Sequence, residues 1–119
     1  MLPIKLQDQL LNSGISFTEY SDEDSNEVIF SKRSPLDSSE DGVDLLAWDI
    51  VVKRANSLER IIASVKRQYR EFDSGAEIVH LQNFFKVRGI PIKESEIISE
   101  VKQHKQFIFD VCTILTEFA

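Results

Sequence analysis

Apolar and polar positions change their spacing along this chain, and the changes divide it into elements. Residues 3–12 read as a short helix: Leu6, Leu10 and Leu11 fall on one side, Pro3 stands near its start and Gly14 just past its end. Ile15-Ser-Phe-Thr-Glu-Tyr20 then alternates apolar and polar, as a half-buried strand does, and Glu27-Val-Ile-Phe-Ser31 is short and rich in β-formers. Turn chemistry in Ser21-Asp-Glu-Asp-Ser-Asn26 joins them, so the pair predicts a β-hairpin. Residues 33–42 read as a polar connector, with Pro35 and Gly42 opposing regular structure.

From Val43 the period becomes helical. Trp48, Val51, Ala55, Leu58, Ile62, Val65 and Tyr69 are spaced alternately three and four apart, a heptad seam. It predicts a helix over about 43–72, roughly 45 Å long. Asn56-Ser-Leu-Glu59 has the form of a capping box that would break it, but the seam passes through without a phase slip, so one continuous helix is expected. Ser74-Gly-Ala-Glu77 opens a helix over about 75–88 that carries Leu81, Phe84 and Phe85, and Gly89 closes it. After Pro91 a last helix bears a second seam of Ile97, Val101, His104, Ile108, Val111, Leu115 and Phe118. The expected fold is a single α-dominated α+β domain: a short N-terminal helix and β-hairpin, then a three-helix bundle with two long helices. Trp48, Leu58, Ile62, Val65, Ile108, Val111 and Leu115 are expected in its core.

A chain of 119 residues suits one core, and 42% hydrophobic content suffices to build it. The net charge of −6 disfavours wholesale binding of nucleic acid. The acidity is local: residues 1–44 hold ten acids and three bases, whereas residues 45–119 hold ten acids and eleven bases. One cysteine, Cys112, excludes an internal disulfide. The first eleven residues lack the apolar run of a signal peptide. The longest apolar stretch, 107–118, is interrupted by Asp110 and Glu117 and is shorter than the ~20 residues of a spanning helix. No membrane association and a cytoplasmic location are the expectations.

Candidate chemistry is sparse. Lys53, Arg60 and Arg67 stand seven apart, opposite the seam if the helix is continuous, with Arg54, Lys66 and Arg70 beside them. This ridge reads either as a surface for phosphate or an acidic partner, or as the solvated face of an amphipathic helix. No aromatic residues alternate with its bases, which removes support for stacking on single strands. Asp22, Glu23 and Asp24 at the hairpin tip lack the order of a calcium loop; they read as a charged turn able to steer a partner. A helix-turn-helix around Gly89 would open its second helix with the acidic Lys93-Glu-Ser-Glu96, a poor start for base reading. His80 and His104 have no His or Cys at metal-ligand spacing, and Cys112 lies on an apolar flank.

These features point to a non-enzymatic protein-binding module without cofactor or metal. Small acidic inhibitors, antitoxin or immunity-type proteins and adaptors offer the compositional analogy. The alternative is a nucleic-acid-associated regulator using the basic ridge; an enzyme with a site assembled from distant helices ranks third. Two long seams and one short helix to cover them also suggest a homodimer, with His104, Ile108, Val111 and Leu115 as its seam.

Overall fold

The computed structural model describes residues 2–21, 26–34 and 47–119. Along the chain run α1 (Ile4–Asn12), β1 (Ser16–Ser21), β2 (Asn26–Arg33), β3 (Ala47–Lys53), α2 (Leu58–Glu71), α3 (Ser74–Val87) and α4 (Glu94–Thr116). The class is α-dominated α+β, as the patterns require. The hairpin is extended by a third strand into an antiparallel meander of order β1-β2-β3.

The third strand is the main departure from the expected bundle. Residues 47–53 are not helical: Trp48, Ile50 and Val52 are buried on one face, and Ala47, Asp49, Val51 and Lys53 are exposed on the other. Trp48 and Ala55 sat in phase with the helical seam that follows, which hid this period of two. The continuous helix over 43–72 is therefore replaced by a strand, a turn and a 14-residue helix. Ser57 is the N-cap of α2, its hydroxyl accepting from the Arg60 N–H at 3.2 Å. The break falls within the Asn56–Glu59 tetrad that has capping-box form. Of the described helices only α4, with 23 residues and a length of roughly 35 Å, is long.

Strand register sorts the sheet into two faces. Phe17, Phe30 and Ile50 stand side by side, as do Val28 and Val52, and these face the helices. Thr18, Ile29 and Val51 form a row on the opposite face. Below the inner face, Leu6 and Leu10 of α1, Ile61, Ile62 and Val65 of α2, and Phe107 to Leu115 of α4 complete the principal core. A second cluster joins Leu81 and Phe85 of α3 to Ile97 and Val101 of α4. Phe72, in the α2–α3 link, packs against both clusters. Of the residues expected in the core, all are buried except Leu58, which is half-buried against it. No helix among the described residues is long and apolar enough to cross a membrane.

Candidate functional site

The end of β3 and the outer face of α2 enclose a cleft of about 650 Å³. Among the described residues its cations are Lys53, Arg54, Arg60, Arg67 and Arg70, and Val51, Ala63 and Ser64 also line it. The sequence makes this shape in two steps. On α2, positions 60, 63, 64, 67 and 70 share one side by helical spacing, while Ile61, Ile62 and Val65 take the buried side. Two small residues thus sit between long arginines, leaving a floor with charged walls.

Strand β3 supplies the facing wall through a local irregularity. The Lys53–Glu27 pair would lead the Arg54 N–H to the Asn26 carbonyl in a regular ladder. Instead the Ala55 N–H reaches that carbonyl, at 2.9 Å, so Arg54 is an extra residue bulged from the strand. Its φ of 56° lies in the left-handed region that favours glycine. The Asn26 side-chain amide donates to the Asn56 side-chain oxygen at 2.9 Å and fixes the turn that follows. Among the described residues, the side chains of the five cations enter no ion pair and no hydrogen bond. Among the described residues the lining contains neither histidine, cysteine nor carboxylate, so the chemistry these side chains offer is recognition of anions.

Lys53, Arg60 and Arg67 of the expected ridge are therefore brought together, with Arg54 and Arg70, but not along one helix: Lys53 and Arg54 reach the cleft from the strand side. Asp22, Glu23 and Asp24 lie outside the described residues. His104, Ile108, Val111 and Leu115 do not form a seam open to a second copy. Ile108, Val111 and Leu115 are buried in the chain's own core, because the third strand and α1 fill the space that a bare bundle would leave exposed. His80 is exposed, and Cys112 is half-buried against the principal core. No group of acids, histidines and cysteines suited to a metal ion occurs among the described residues.

A buried polar cluster escaped the sequence reading. Glu100 of α4 is 2% exposed, and its Oε1 accepts from Trp48 Nε1 at 2.5 Å and from Ser34 Oγ at 2.7 Å. His104, one turn further along, stacks on Trp48 with ring centroids 5.6 Å apart and receives Phe72 edge-on at 5.0 Å. Its Nδ1 lies 3.9 Å from a Glu77 carboxylate oxygen. Burial holds the imidazole below its ordinary pKa of 6.5, against the opposing pull of Glu77, Glu100 and Asp49. One signal was available: residue 100 falls on the same helical stripe as Ile97, His104 and Phe107, an acid where the pattern calls for an apolar side chain.

Comparison with protein-family models, with curated proteins and with solved structures yields no match for this chain.

Proposed function

We propose that this chain is a non-enzymatic protein-binding module that takes an acidic segment of its partner into the cleft between β3 and α2. The observation that carries the reading is the set of five side-chain cations around one cleft, without ionic partners among the described residues. Like charges gathered on one concave surface repel each other, and an entering anion relieves that repulsion. Arginine adds directional, two-pronged hydrogen bonding to carboxylates. Occlusion of a partner, as an inhibitor or adaptor does, suits a small module of this kind.

Nucleic acid would satisfy the same cations. Two features favour a protein segment: among the described residues no aromatic side chain lines the cleft for base stacking, and the net charge of −6 repels an extended polyanion. Fluorescence anisotropy with a labelled Glu-rich peptide and a single-stranded RNA of equal length separates the two. The peptide is expected to bind more tightly, to weaken with salt, and to lose at least about tenfold in affinity with the R60E/R67E double variant. Tighter binding of the RNA, or peptide binding indifferent to the double variant, overturns the reading.

A further inference from the structure

Among the described residues β3 is an edge strand: it pairs with β2 on one side, and no other described strand pairs with its far side. Residues of an antiparallel strand alternate, one directing both backbone groups to its partner and the next directing both away. Asn26 points its carbonyl toward β3, where Ala55 takes it. By that parity Val28 and Phe30 face β3, and Val52 and Ile50 face back across the ladder. Asp49, Val51 and Lys53 consequently aim their N–H and C=O groups away from the sheet. Gln68 of α2 confirms the direction, since its side-chain amide donates to the Val51 carbonyl at 3.0 Å while resting on Ser64 Oγ at 3.2 Å.

A helix laid against such an edge normally shields it. Here the cleft separates the outer face of α2 from the edge, and Ala63 and Ser64 leave its floor open to an approaching backbone. We infer that the acidic segment enters as an added strand on β3, pairing its backbone with Val51 and Lys53 while its carboxylates meet Arg60 and Arg67. This rests on the cleft being the site for an acidic partner, and it specifies how that partner is held.

Strand addition divides recognition in a familiar way: main-chain bonds supply affinity, and side chains supply selection. The cations perform that selection. They repel basic strand edges, including a second copy of this edge with its own Lys53 and Arg54, offer a neutral edge no charge–charge attraction, and admit an acidic one. Charge also gives the groove a direction, because β3 runs from Asp49 toward Lys53 and Arg54. The most acidic part of the segment belongs at the Lys53 end. Gln68 acts as a placeholder on the acceptor that the incoming strand needs.

The test uses the full chain and a labelled eight-residue peptide alternating Glu and Val. A second peptide has the same sequence but alternate backbone amides N-methylated, which preserves its charge and removes its capacity to pair. The unmodified peptide is expected to bind at least about tenfold more tightly, and to slow hydrogen exchange at the Val51 and Lys53 amides. Q68A, which vacates the Val51 carbonyl, is expected to tighten binding of the unmodified peptide and not of the methylated one. Equal affinities for the two peptides, or exchange at these two amides unaltered by the peptide, overturn strand addition while leaving an acid-binding cleft in place. Failure of both peptides to bind overturns the cleft reading as well.

Discussion

Arg54 is where backbone cost and side-chain use conflict most plainly. A left-handed residue with a Cβ costs roughly 1–2 kcal/mol, and glycine escapes that cost while giving up some unfolded-state entropy. R54G is therefore expected to leave stability level or raise it by up to about 1 kcal/mol in urea denaturation, while weakening the acidic peptide. A residue present only for the fold would show no such opposition. His104 offers a second residue-scale test. Its pKa is depressed by burial, so the unfolded chain binds its proton more readily than the folded one. Its contribution is whole above the ordinary value of 6.5 and is lost as pH falls through the lower folded value. The melting temperature is expected to drop between about pH 7.5 and about pH 5.5, and H104F to flatten part of that drop. The Glu77, Glu100 and Asp49 carboxylates limit its size. Glu100 is the third. E100A strands the Trp48 indole N–H in a buried place and is expected to cost about 3 kcal/mol; E100Q retains an acceptor oxygen and should cost less. Urea midpoints rank the two.

At the scale of elements, the turn between β3 and α2 decides the architecture. If Ser57 is what starts the helix, S57A should destabilise the chain by about 1 kcal/mol, read from thermal or urea unfolding, whereas a cap within a continuous helix would have no such cost. The same region shows what was legible and what was not. The helix over 4–12, the two strands flanking 22–25, the helix after Asp73 and the long last helix each carry a pattern with one dominant period, and each forms. Residues 47–53 satisfied two periods at once. Trp48 and Val51 extended the heptad seam, while Trp48, Ile50 and Val52 alternated, and tertiary pairing with β2 chose the second. The site was legible in the same proportion. Arg60 and Arg67 stand one above the other on α2 by spacing alone. The approach of Lys53 and Arg54 depends on a bulge opposite Asn26, a contact between residues far apart in sequence that no local pattern encodes.

For the molecule as a whole, α4 is the spine. Its first half closes the cluster with α3, its second half closes the principal core, and Gln9 of α1 is tied to Glu117 just beyond its end by a 3.0 Å hydrogen bond. Because the apolar positions of the last seam are consumed internally, nothing in that seam calls for a second copy. Light scattering with size exclusion at micromolar concentration is expected to give a mass near 13.7 kDa. A doubled mass would direct attention to a surface other than Ile108, Val111 and Leu115. The position of Trp48, the chain's single tryptophan, has an optical consequence. Its indole is held by Glu100, lies flat against His104 and leans on Phe107, so sheet and spine meet on one fluorophore. Its emission shifts to the red when water reaches the ring, which reports the melting of both at once. Protonated imidazole quenches a stacked indole, so the intensity of the same band would follow the titration of His104 without any label.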